Sequence, residues 1–140
     1  MRGRWYVPWV TVPALLATAS ACGTPAERRD DVTAEVTRFE RALDAGERER
    51  LCAALAPATR EELEQSAKSG CDAAVARAVE EHDLPAAGAV RDVDVYGDQA
   101  RVVLERDTVF LARFPGGWKV TAAGCRPRPQ RPYACGIKGG

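Results

Sequence analysis

The apolar residues of this chain change their period once, and that change constrains the fold more than any other feature. Up to about residue 82 they recur at helical spacing, and after Leu84-Pro85 they alternate. Helices followed by a run of strands read as an α+β domain, with helices packed on one face of an antiparallel sheet.

The first helix is predicted over 31–45. Asp30 or Asp31 caps it, Val32, Val36, Phe39 and Leu43 form its stripe, and Gly46 ends it. A second helix is predicted over 47–55, with Leu51, Cys52 and Leu55 inward and Pro57 as its breaker. Thr59-Arg60-Glu61-Glu62 has a capping-box pattern and opens a third helix that runs to Ala67. A fourth covers 71–82, with Cys71, Ala74, Val75, Ala78 and Val79 on its apolar side.

Strands are predicted over 90–96, 99–105, 108–114 and 118–123. Gly97-Asp98 makes a two-residue hairpin turn between the first two. In 108–114 both faces are partly apolar, which places that strand centrally. The expected sheet is a curved four-strand meander. Residues 126–140 alternate Arg126, Arg128 and Arg131 with Pro127, Pro129 and Pro132, and read as an extended loop.

The N-terminus carries an address. Arg2 and Arg4 are followed by an uncharged apolar stretch, then by small residues ending in Ala19-Ser20-Ala21-Cys22. This is a lipobox: residues 1–21 read as a lipoprotein signal peptide, and the Cys22 thiol would take a diacylglycerol as a thioether. Two or three acyl chains hold a protein firmly on a bilayer, at about 0.8 kcal/mol per buried CH₂. The apolar stretch is short for a membrane span, and Pro8 and Pro13 interrupt it. Residues 22–30 are expected to form a lipidated tether, and 31–140 a single domain.

Removing 21 of the 140 residues leaves 119, enough for one domain, with 18 basic against 20 acidic residues. No basic excess suggests nucleic acid. If lipid consumes Cys22, four cysteines remain: Cys52, Cys71, Cys125 and Cys135. An even number in an exported domain reads as a disulfide framework. Three pairings are possible; Cys52–Cys71 and Cys125–Cys135 are favoured because each pair brackets one local unit. A zinc site is disfavoured, since no C-x-x-C occurs and His82 is the only histidine. No cofactor is expected.

Several segments together resemble a known group: Phe39-Glu40-Arg41-Ala42-Leu43, Leu51-Cys52-Ala53-Ala54-Leu55-Ala56-Pro57, Val95-Tyr96-Gly97-Asp98, Asp107-Thr108-Val109-Phe110-Leu111, Gly117-Trp118-Lys119-Val120, Ala122-Ala123-Gly124-Cys125 and Pro132-Tyr133-Ala134-Cys135. They resemble lipoproteins of high-GC Gram-positive bacteria and, more broadly, the nuclear-transport-factor-two-like superfamily. The resemblance implies a cone-like fold and a cell-envelope address. It carries over no catalytic residue.

A cone of that kind usually encloses a cavity. Phe39, Leu43, Phe110, Leu111, Trp118 and Val120 are candidates to line it, though filling the core is the commoner use of such side chains. His82 sits between Glu81 and Asp83 at a helix end, which suits an exposed residue better than a general base. Asp92 and Asp94 lie two apart on one strand face and read as solvated. Ser66 and Ser69 lack a nucleophile-elbow context, and no glycine-rich phosphate loop occurs. The arginines of the tail offer an anionic partner, such as phospholipid headgroups or wall polymer, a modest and salt-sensitive attraction; a surface loop pinned by a disulfide is the simpler reading. The expected function is non-enzymatic: a lipoprotein on the outer leaflet of the cell membrane, whose domain binds an envelope protein or a small apolar ligand. The alternative is an isomerase, dehydratase or cyclase of the cone superfamily, which would place Asp92, Tyr96 or His82 inside a pocket.

Overall fold

The computed structural model describes residues 23–84 and 86–139. The predicted signal segment and Cys22 lie outside the described residues. Four helices, α1 (Pro25–Ala45), α2 (Arg48–Ala54), α3 (Pro57–Ala67) and α4 (Cys71–Glu81), precede five strands: β1 (Val90–Tyr96), β2 (Gln99–Leu104), β3 (Thr108–Phe114), β4 (Gly117–Arg128) and β5 (Arg131–Lys138). The strands form one antiparallel sheet in the order β1-β2-β3-β4-β5, and it is not closed.

The first helix starts earlier than predicted, and much of the expected tether lies inside it. Thr24 is the N-cap: its hydroxyl accepts from the Glu27 N–H at 3.2 Å, and the Glu27 carboxylate accepts from the Thr24 N–H at 2.6 Å. Pro25 takes the first helical position, where a missing N–H leaves nothing unsatisfied. The capping box is therefore Thr24-Pro25-Ala26-Glu27, and Asp30 and Asp31 are already a turn inside. The bonds from Thr24 hold the Glu27 carboxyl below its usual range. Gly46, in the left-handed conformation at φ 66°, closes the far end.

The same correction applies to α3. Pro57 begins it instead of merely ending α2, and Thr59 is not its cap. Thr59 is buried, and its hydroxyl donates to the Thr121 carbonyl of β4 at 3.0 Å.

Beyond residue 123 the sheet departs from the four-strand expectation. β4 runs on to Arg128, and β5 returns along it after a turn in which Gln130 has φ 56°. Pairing of β4 with β3 ends at Phe110↔Ala122, so the distal part of β4 pairs with β5 alone. A two-stranded ribbon has an open side, and prolines are tolerated there because no third strand asks for their missing N–H. That is why a Pro-alternating segment is a hairpin here and not a loop.

The helices cover one face of the sheet. Val36, Phe39, Val102, Leu111, Val120 and Ile137 are among the fully buried side chains of the core between them. Pairing of β4 with β5 begins only at Ala122↔Lys138, which leaves 117–121 without a β5 neighbour. The α2–α3 connection fills that gap. Leu55 forms a parallel bridge with Val120, and the Ala56 N–H donates to the Val120 carbonyl at 2.8 Å.

The disulfides are Cys52–Cys71, which joins α2 to α4, and Cys125–Cys135, a directly opposed pair in β4 and β5. These are the pairings that local bracketing favours. The N-terminal end of α1 lies at the β1–β2 turn, where the Arg28 guanidinium reaches the Gly97 carbonyl at 3.4 Å. The C-terminal half of α1 meets Ala87 and the far end of β2.

Candidate functional site

The convergence of polar groups on apolar walls is clearest beside Glu40. Val36 and Glu40 are one helical turn apart, so the face of α1 that buries Val36 also carries Glu40 inward. The glutamate is buried with only 9% of its surface exposed. Its Oε2 accepts from the Ala87 N–H at 2.6 Å, which ties the segment before β1 to α1. Its Oε1 is buried with no hydrogen-bond partner among the described residues. Burial pushes the Glu40 carboxyl above its usual range; the Ala87 bond opposes this, nearby Asp107 adds to it, and Arg106 opposes it.

A cleft of about 360 Å³ opens next to it, with Val36, Val90 and Leu104 as apolar wall. Thr37, Arg41, Asp44 and Arg106 join Glu40 as its polar groups. The size lies within the range of small-molecule sites, as does the mixture of apolar wall and few polar groups. A carboxyl placed in this way accepts hydrogen bonds, and in its protonated form it can also donate one.

Asp107, just before β3, is the second acid whose carboxyl is raised. It accepts three backbone N–H bonds, from Thr108 at 2.6 Å, Gly124 at 2.8 Å and Cys125 at 2.6 Å. Burial still holds its carboxyl above the usual range, against those bonds and the attraction of Arg126. Asp107 thus organises the turn of backbone before the β4–β5 ribbon.

Sequence reasoning passed over Glu40 because a single carboxylate beside Arg41 reads as solvated. The signal was present, since residue 40 falls on the stripe of Val32, Val36 and Leu43, where a charged residue is out of place.

The residues expected to line a cone cavity do not meet around one space. Phe39, Leu111, Trp118 and Val120 fill the core, and Leu43 packs half-buried against it. Phe110 is on the opposite face of the sheet, edge-on to Tyr133 with ring centroids 5.0 Å apart. Its immediate neighbours Val109 and Leu111 are buried, and strand alternation sends Phe110 the other way.

His82, Asp92 and Tyr96 are all exposed, Tyr96 by 69%. Asp94 is half-buried and paired with Arg101, its direct cross-strand neighbour. Ser66 is exposed, and the half-buried Ser69 hydroxyl has no partner among the described residues. Among the described residues no group of three or more His, Cys, Asp or Glu side chains is arranged to hold a metal, and no helix is long and apolar enough to cross a membrane.

No family model, curated protein or solved structure matches this chain. Its disulfides fit an oxidising, extracytoplasmic compartment.

Proposed function

We propose that this chain is an exported lipoprotein, held on the outer leaflet of the cell membrane through acylated Cys22, and that its domain is a non-enzymatic binding module of cone-like type. One observation carries the reading. The four cysteines of the domain are consumed in two bridges, and the fifth, Cys22, stands in a lipobox. The structure-forming use of cysteine is thereby complete without it.

The cleft beside Glu40 is the binding site in this reading. Its ligand is small and largely apolar, with one group that hydrogen-bonds a carboxyl. The buried Glu40 also supports a second reading, an isomerase, dehydratase or cyclase in which that carboxyl moves a proton, because a buried carboxyl with one unpartnered oxygen beside a cleft is placed for general acid–base work.

The test is Cys22→Ser in the full chain, followed through membrane fractionation and intact-mass spectrometry. The expected result is a released protein or an unprocessed precursor, against a parent of acylated mass that is four hydrogens lighter when non-reduced. A mature-sized mutant that stays on the membrane refutes the anchor.

A further inference from the structure

The β4–β5 ribbon carries a concentration of positive charge. All 20 acidic residues of the chain lie at or before Asp107, and residues 108–140 contain six Lys or Arg and no acid. Three of those six, Arg126, Arg128 and Arg131, are exposed on the ribbon. Arg128 and Arg131 are directly opposed across the two strands, an arrangement of like charges that is unfavourable unless an anion lies between them. None of the ion pairs among the described residues includes any of the three. Asp107 attracts Arg126, but its oxygens are occupied by three backbone N–H groups. The Arg128 Nε donates to the Pro132 carbonyl at 2.9 Å, which fixes the stem of an exposed side chain and leaves its other guanidinium nitrogens to a ligand.

We propose that this ribbon is a docking surface for a linear, phosphate-bearing polyanion outside the cell. The chemistry favours phosphate because all three cations are arginines, whose planar fork matches phosphate oxygens in pairs. The ribbon is also prepared for binding. Cys125–Cys135 staples its base, Pro127 and Pro132 stiffen its strands and Pro129 its turn, so little conformational freedom is lost on contact. A polymer is the occupant in preference to a membrane because of where the ribbon points. α1 begins at the Gly97 end of the sheet, and the ribbon projects from the opposite end. The 21-residue α1 alone separates the two by roughly 30 Å at 1.5 Å per residue. This last step rests on the Cys22 anchor, which would hold headgroups at the far end.

The experiment measures binding of the full chain, in detergent, to inorganic polyphosphate as salt is varied. Three Arg–phosphate contacts predict a log–log salt slope of about −2, at ~0.7 per phosphate for a single strand. The triple variant Arg126→Gln/Arg128→Gln/Arg131→Gln is expected to lose at least about tenfold in affinity and to flatten the slope. A control, Arg113→Gln/Lys119→Gln, removes charge elsewhere and is expected to change affinity by less than about twofold. Equal loss in the control, no loss in the triple variant, or equal affinity for polyglutamate overturns the proposal. So does tighter binding to anionic phospholipid vesicles than to polyphosphate at equal phosphate. Low-salt self-association abolished by the triple variant, without polyphosphate binding, assigns the ribbon to a second copy of the chain and also overturns it. The unacylated Cys22→Ser chain separates the two ideas: its loss of the membrane tests the anchor, and its polyphosphate affinity tests the ribbon.

Discussion

Opening the Cys52–Cys71 bridge is the perturbation whose effect the structure fixes most directly. The bridge joins residues 19 apart in sequence, and both cysteines are buried. With n near 19, the chain-entropy argument gives about 3.2 kcal/mol of stabilisation at 25 °C through restriction of the unfolded chain. Replacing both cysteines by alanine also removes two buried sulfurs, which adds to the loss in the manner of other large-to-small core changes. Unfolding entropy of ~2.1 cal/mol/K per residue gives ~0.25 kcal/mol/K for a domain of roughly 120 residues, so 3.2 kcal/mol lowers the melting temperature by about 13 °C. Cys52→Ala/Cys71→Ala is therefore expected to melt at least ~13 °C below the parent in a calorimetric scan of the oxidised chain. Urea unfolding measures the same loss as a lower midpoint. A double variant within about 4 °C of the parent refutes the reasoning, because it would mean that the bridge neither constrains the unfolded chain nor holds α2 on α4.

Two further outcomes follow from the site and the ribbon base. Glu40 and Asp107 both have carboxyls raised above their unfolded values, so the native state holds protons more tightly. Their contribution is fully present below the ordinary carboxyl range and is lost as pH rises through the raised values. Glu40→Gln removes Glu40's share, and the urea midpoint of the variant should fall less than the parent's between mildly acidic and neutral pH; a parallel fall contradicts the assignment. Gly124 has φ 64°, and a Cβ there would lie 2.1 Å from the Leu84 side chain. Gly124→Ala is expected to lose about 1–3 kcal/mol by denaturant titration, combining left-handed strain with the displacement of Leu84. An unchanged midpoint shows that the backbone at Gly124 and the Leu84 side chain relax freely.

The elements that bury a regular stripe were legible in the sequence. Val32, Val36 and Phe39 mark α1, and the alternation of Ala100, Val102 and Leu104 marks β2, because one face of each meets the core. The disulfide pairing was legible for the same local reason. The features that escaped are those in which chain geometry overrides pattern. The Thr24–Glu27 capping box lies in a polar stretch with no apolar stripe of its own. β5 was hidden by prolines that only a ribbon with an open side tolerates. The Thr59 motif looked like a cap, yet its hydroxyl is spent across 62 residues on Thr121. Glu40 escaped because a single carboxylate on an apolar face is easily read as solvated, and only the packed structure shows Ala87 closing over it.

The short bridge of Leu55 and Ala56 onto β4 has a consequence for how the protein fails. Half of β4 would otherwise present bare backbone donors and acceptors, a template on which a strand from another molecule can pair. Two residues shield it, and they are held there by the helices on either side. Loosening α2 from α4 would uncover that edge before the rest of the sheet comes apart. The first damaged species on heating or reduction would then be a nearly native molecule with one sticky strand, prone to aggregate. The disulfide in the helices thus guards the sheet against intermolecular pairing.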